Sequence, residues 1–192
     1  MAPKYSLWLS PPGASPASQA VAAAIDKLSS ALGGPRFPPH ATLFSPVRAD
    51  SDAKALEQVE HYAAKLRRQL GADTAGIPVE VDSVAAGSTY YQCVFLKGPA
   101  SEALAAANAA AREQWGAAGQ EPFMPHVSLV YGDHPADALP GLQTQAAEAL
   151  PKDLAALSYV ATEIRIVATS GQCEQWHEVG RVSITRQGEV SK

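Results

Sequence analysis

Two histidines stand in matching pentapeptides, Pro39-His40-Ala41-Thr42-Leu43 and Pro125-His126-Val127-Ser128-Leu129, one in each half of the chain. Each reads Pro-His-apolar-hydroxyl-Leu. A single His-x-Thr or His-x-Ser arises by chance in many proteins, and its histidine is usually structural. Two copies with the same flanks carry a chemical reading over that of an old duplication with core histidines. Imidazole titrates near neutral pH, so a pair facing one cleft can supply a general base and a general acid. Two hydroxyls can donate to non-bridging phosphate oxygens, where charge gathers in the transition state. Such a set suits the opening of a five-membered cyclic phosphate. One histidine activates a water, the other protonates the departing ribose oxygen, and no metal is required.

This chemistry makes a demand on local structure. If each pentapeptide is a strand, side chains alternate faces, so His40 shares a face with Thr42 and His126 with Ser128. Ala41, Leu43, Val127 and Leu129 then anchor the opposite face. The proline before each histidine suits a strand's first position, where no ladder N–H is needed.

The elements that must carry these strands are legible in order. Tyr5 to Leu9 alternates as a strand, with Tyr5, Leu7 and Leu9 on one face and Ser6 and Trp8 on the other. Trp8 therefore either faces the groove, where it could stack on a base, or packs as a partly buried core residue. Ser15-Pro16 reads as cap and first residue of a helix whose Val21, Ile25, Leu28 and Leu32 share a face, closed by Gly33-Gly34. A second helix starts near Ser51, repeats Leu56, Val59, Ala63, Leu66 and Leu70, and ends at Gly71. Ile77 to Ala85 and Tyr90 to Leu96 read as strands joined at Gly87-Ser88. Tyr91 lies there with apolar neighbours on both faces, so alternation leaves its direction open. Ser101 to Trp115 is an alanine-rich helix, and Leu139 to Leu150 is another, stopped by Pro151. Ala161 to Thr169 reads as one long strand, and Trp176 to Thr185 as a pair of short ones. The tail 187–192 is expected to be disordered. Short amphipathic strands interleaved with helices predict an α+β fold: a single domain over 1–192 of two lobes, each a small antiparallel sheet backed by helices, with the motif strands facing across a central groove.

Composition bounds the function. The net charge of −4 argues against broad electrostatic binding of long nucleic acid. Two cysteines, Cys93 and Cys173, make no disulfide framework. No signal core follows Met1 and no run approaches the ~20 apolar residues of a membrane span. A reducing cytoplasm, a monomer, no membrane and no cofactor are the expectations. Arg36 offers a possible phosphate contact. His61 reads as a surface residue, and His134 and His177 lack partners at metal-ligand spacing, so no metal site is assigned.

The paired motifs resemble the two-histidine (2H) phosphoesterase superfamily, and within it the eukaryotic cyclic phosphodiesterases. The likeness extends to Tyr5-Ser6-Leu7-Trp8, to Gly33-Gly34-Pro35-Arg36-Phe37, to Tyr91-Gln92-Cys93-Val94, and to Pro122-Phe123-Met124-Pro125-His126 with Tyr131-Gly132-Asp133. It implies a pseudo-two-fold bilobal fold with His40 and His126 catalytic and Thr42 and Ser128 on the phosphate. It also implies that Tyr131 contacts the phosphate. Tyr131 stands at odd spacing from Ser128, so it needs a bend or strand end to reach the groove, and Gly132 makes one plausible. The implied substrates are ADP-ribose 1″,2″-cyclic phosphate and nucleoside 2′,3′-cyclic phosphates, opened to a 1″-phosphate and to 2′-phosphates. An RNA-end-processing 2H enzyme, such as a 2′-5′ RNA ligase-like protein or an oligoadenylate phosphodiesterase, is the alternative. It is disfavoured by the acidic balance, because an RNA track wants several cations. A non-catalytic binder has no need of two titrating histidines.

Overall fold

The strand Lys4–Leu9 (β1) forms as its alternation requires. Tyr5, Leu7 and Leu9 are fully buried against helices, and Ser6 and Trp8 point to the other face of the sheet. The computed structural model describes residues 3–71, 73–117 and 122–185. Helix Pro16–Leu32 (α1) starts where Ser15 Oγ accepts the Ser18 N–H and stops at Gly33, whose φ of 69° is open to glycine at little cost. Strand Ala41–Arg48 (β2) starts directly after His40 and carries the rest of the first motif. Helix Asp52–Leu70 (α2) is capped by Ser51 and ended by Gly71. Strands Ile77–Val79 (β3), Ser83–Ala86 (β4) and Val94–Lys97 (β5) precede helix Glu102–Gln114 (α3), capped by Ser101. The second motif is on His126–Val130 (β6), followed by helix Leu139–Glu148 (α4). Strands Tyr159–Ala161 (β7), Glu163–Ala168 (β8) and His177–Ser183 (β9) complete the chain.

Seven strands make one antiparallel sheet in the order β4-β5-β6-β2-β1-β8-β9, and β3 pairs with β7 in a small second sheet. Its central four strands, β5-β6-β2-β1, are symmetric about the β6–β2 boundary. The run β1-α1-β2-α2 is answered by β5-α3-β6-α4. Each half sends its first helix across: α1 packs on β6 and α3 on β2, while α2 lies on β8 and β9 and α4 on β4 and β5. Leu43 and Leu129, from the two motif strands, are buried in the same apolar core as Leu7, Ile25, Leu66 and Leu104. Asn108 of α3 also ties the halves, donating to the Leu43 carbonyl at 2.7 Å.

The α+β class holds, and the two lobes are the halves of one continuous sheet. The motif strands do not face each other across a gap. They lie side by side, joined by one antiparallel residue pair, Ala41 opposite Val127. Register shifts in the neighbouring ladders, between Leu7 and Trp8 and between Val94 and Phe95, add local twist beside both motifs. The strands thus pair at one point and leave a groove on the sheet face away from the helices.

Four predicted strands differ in detail. Ile77 to Ala85 breaks at residues 80–82, so β3 and β4 join different sheets. The Glu80 carbonyl lies where a Cβ at Gly98 would sit, 2.1 Å away, an approach that glycine permits. Of Tyr90 to Leu96 only Val94 onward is strand. Tyr90–Gln92 is a 3₁₀ turn in which the Gln92 N–H donates to the Thr89 carbonyl and the Tyr90 carbonyl accepts from Gly132. Ala161 to Thr169 parts at residue 162 between β7 and β8, and the final segment is one strand, β9. The predicted tail, 187–192, lies outside the described residues. Among the described residues no helix is long and apolar enough to cross a membrane.

Candidate functional site

The groove over the β2–β6 junction is a cavity of about 380 Å³. It is lined by Trp8, His40, Thr42, Tyr91, His126, Ser128 and Tyr131, so every candidate from the sequence except Arg36 converges on one space. Lys4, Ser6, Ser45, Gln92, Thr169 and Trp176 complete much of the wall. The strand alternation explains the motif residues. Tyr131 reaches the cavity because β6 ends at Val130, freeing it from the alternation that would turn it away.

Both imidazoles are oriented by the same device. His40 Nδ1 lies 2.7 Å from the Pro38 carbonyl and His126 Nδ1 lies 3.0 Å from the Met124 carbonyl, each two residues back. A carbonyl only accepts, so Nδ1 carries the proton in both rings. Nε2 is then the nitrogen left for chemistry, bare when the ring is neutral and a donor when it is charged.

The surroundings of the two rings differ. Trp8 stacks on His40 with centroids 3.6 Å apart and planes 10° from parallel. His40 is buried, 4% exposed. Burial pushes its pKa down to about 4, and positive charge on His126 and Arg165 adds to the shift, against the opposing bond to Pro38. His126 is half-buried, and Phe95 meets it edge-on at 5.2 Å. Its pKa is also lowered by burial, with the bond to Met124 opposing.

The hydroxyls differ too. Ser128 Oγ is buried and donates to the Tyr91 carbonyl at 2.9 Å. Thr42 Oγ1 has no hydrogen-bond partner among the described residues. Tyr131 is buried, stacked on Phe37 at 3.8 Å, with its hydroxyl 3.5 Å from His40 Nε2. Burial raises the Tyr131 pKa, so the phenol stays protonated.

Trp8 faces the groove, yet His40 covers one face of its indole and the residue is only 3% exposed. It is no open stacking platform. Tyr91 sits on the 3₁₀ turn instead of a strand and is 50% exposed. Trp176 lies 5.8 Å from it, centroid to centroid, and 6.1 Å from Trp8. Arg36 lines a neighbouring pocket and is held by Asp26 at 3.6 Å and by Ser30. Among the described residues no group of three or more His, Cys, Asp or Glu is placed to hold a metal ion. Cys93 and Cys173 are free thiols.

Sequence reasoning missed Phe95, Trp176, Lys4 and Ser6. Phe95 pairs with Ser128 in the sheet as Trp8 pairs with Thr42, so a closer comparison of the two halves would have found it. Lys4 and Ser6 share Trp8's face at period two. Trp176 belongs to a loop after a strand distant in sequence, and no local pattern marks it.

Known proteins share both the sequence and the form. A cyclic phosphodiesterase-like protein family matches residues 1–184. The Arabidopsis thaliana cyclic phosphodiesterase is 27% identical over 158 residues, 81% of this chain and 82% of its own. Among solved structures, E. coli LigT complexed with ATP superposes with a TM-score of 0.59 at 17% identity, over 97% of this chain and 100% of its own. Kluyveromyces marxianus Usb1 does so at 0.55 and 14%, over 93% and 98%. At these identities the structural likeness speaks to the fold alone. Two carbonyl-anchored histidines sharing one cavity on this fold, with a family match over nearly the whole chain, lead to one conclusion: the chain belongs to the cyclic phosphodiesterase-like family of 2H phosphoesterases, and it is a phosphodiesterase.

Proposed function

We propose that the protein opens ADP-ribose 1″,2″-cyclic phosphate and nucleoside 2′,3′-cyclic phosphates without a metal, by acid–base catalysis between His40 and His126. The observation that carries the reading is the pair of rings with Nδ1 fixed on backbone carbonyls, both lining one cavity with two hydroxyls.

The unequal burial favours one division of roles. His40, with its pKa held at about 4, is neutral at working pH and takes a proton from water through Nε2. The hydroxide equivalent adds to phosphorus as one ring P–O bond breaks. His126, the more exposed ring, carries a proton on Nε2 and delivers it to the departing ribose oxygen. The phosphate's negative charge favours that protonated form once substrate is bound. Thr42 donates to one non-bridging oxygen from the start. Ser128 does so by turning its hydroxyl away from the Tyr91 carbonyl, and the protonated Tyr131 phenol supplies a further donor. Opening to the nucleoside 2′-phosphate and to the ADP-ribose 1″-phosphate is the outcome the family likeness favours.

The groove fits a small substrate better than an RNA chain. Among the described residues lining it, Lys4 alone is a lysine or arginine, whereas an RNA track needs several. A soluble, monomeric, cytoplasmic enzyme of nucleotide turnover, including that of tRNA splicing, is the corresponding setting.

The test is hydrolysis of 2′,3′-cyclic nucleotides by enzyme exhaustively treated with chelator. Full activity is expected. An inactive chelated enzyme restored by a divalent ion would move the protein to metal-assisted hydrolysis.

A further inference from the structure

The two-fold repeat makes the groove symmetric at its centre and unlike at its ends. Trp8 pairs with Thr42 and Phe95 with Ser128, so these two are counterparts. Four residues before Trp8 stands Lys4, and four residues before Phe95 stands Tyr91. Both line the cavity. β1 and β5 run antiparallel across the sheet, so the start of β1, with Lys4, and the 3₁₀ turn that enters β5, with Tyr91, lie towards opposite ends. One end is thus cationic and the other aromatic.

The cationic end is equipped for an anion. Lys4, Ser6 and Trp8 share the groove face of β1. At ~3.3 Å per residue, Lys4 Cα is roughly 13 Å along the strand from Trp8, within reach of a flexible ammonium across one ribose. The Lys4 ammonium has no ion-pair partner among the described residues, and no described carboxylate lines the cavity. Ser6 Oγ accepts the Trp8 indole N–H at 2.9 Å, which leaves its own proton to donate. Thr169 stands beside Lys4, its backbone N–H donating to the Lys4 carbonyl. At the other end Tyr91 is half exposed beside Trp176, a surface for a base.

A 2′,3′-cyclic nucleotide has the matching asymmetry. With its cyclic phosphate at the histidines, the base on C1′ and the C5′ carbon leave the ribose in opposite directions. We infer that Lys4, with Ser6 and Thr169, forms a subsite for a second anionic group on C5 of the ribose, a phosphate or diphosphate, and that Tyr91 takes the base. The inference rests on the phosphodiesterase reading above. It makes cyclic phosphates that carry a second anionic group the preferred substrate class and gives the ribose one orientation in a pseudo-symmetric site.

The experiment compares adenosine 2′,3′-cyclic phosphate with the same compound bearing a 5′-phosphate, on wild type, Lys4→Met and Lys4→Arg. Wild type should favour the 5′-phosphorylated substrate by about fivefold in kcat/KM at low salt, the upper range for a charge pair open to water. The preference should fade as salt rises. Lys4→Met should erase the preference while leaving the unphosphorylated substrate within about twofold, and Lys4→Arg should keep it. Equal kcat/KM for both substrates in wild type, or equal losses on both in Lys4→Met, would overturn the subsite and leave the phosphodiesterase reading intact. Turnover of neither substrate by wild type would sink that reading and the subsite with it.

Discussion

The two halves of the groove share a backbone plan and differ in how far each excludes water. In the first, a tryptophan lies flat on His40 and the Thr42 hydroxyl is unengaged. In the second, Phe95 meets His126 edge-on and Ser128 is tied to the Tyr91 carbonyl. The repeated feature, Nδ1 bonded to the carbonyl two residues back, fixes geometry. The unrepeated features set chemistry. The repeated motif supplies two identical imidazoles, and an acid–base pair needs two unlike ones. On the His40 side a stacked indole adds to the burial that lowers the pKa.

The strongest break of this comparison is removal of either imidazole. His40→Ala and His126→Ala should each lower kcat on the order of 10²–10⁴-fold, the usual worth of a positioned acid or base. The double variant should lose far less than the product, because the two act as a unit. The pH profiles should then separate the roles. Wild-type kcat/KM should be bell-shaped, rising as His40 loses its proton near pH 4 and falling as His126 loses its own below the ordinary value of about 6.5. His40→Ala should lose the acid limb and His126→Ala the alkaline limb. The reverse pattern would exchange the two assignments, and near-full activity in either variant would end the shared-site account.

Much of this is legible in the sequence. The pentapeptides, the period-two faces and the capped helices Pro16–Leu32 and Asp52–Leu70 depend on local chemistry and appeared where predicted. The continuity of the sheet was not readable, because it turns on one Ala41–Val127 pair that no local pattern encodes. The breaks at residues 80–82 and 162 were hidden for a related reason. Apolar residues run through both, and only their choice of partner strand separates them. At the site, the alternation leaves Trp8 between the groove and the core, and its stack on His40 depends on a register across two strands. The sequence places Ser128 as a phosphate donor. Its bond to Tyr91 follows from the 3₁₀ turn that replaces the predicted strand.

That bond sharpens the comparison at the hydroxyls. Losing one preorganised donor to developing charge costs on the order of 10²–10³ in kcat. Thr42→Val should fall near the lower end, about 10², with little change in stability, since Thr42 bonds to no described group. Ser128→Ala should cost less in rate, about tenfold, because part of its bonding is already committed. It should also cost about 1 kcal/mol of stability through the partner lost to the Tyr91 carbonyl. Steady-state kinetics beside a thermal melt reads both. Equal rate losses with unchanged melts would show that Ser128 is as free as Thr42, and the contrast would fail.

The smallest effect is the most direct test of how the halves became unlike. Trp8→Phe gives the first half the type of aromatic ring that the second already has. A smaller ring leaves more of His40 open to water, which relieves the desolvation holding its pKa at about 4. The pKa should rise, so the acid limb of kcat/KM should move up by less than one unit, with kcat at the optimum within about threefold. Activity at pH 5 should drop while activity at pH 7 stays. Stability carries the same sign. Between pH 4 and 6.5 the unfolded chain binds a proton at this histidine that the folded chain does not, so His40's burial makes stability rise with pH across that window and fall as pH drops towards 4. Trp8→Phe should narrow the window from its acid side and flatten the loss of stability on acidification. An acid limb that stays in place would show that the stack does not set the His40 pKa. One that moves down would mean that the ring stabilises the charged imidazole, and the role of base would pass to the other half of the groove.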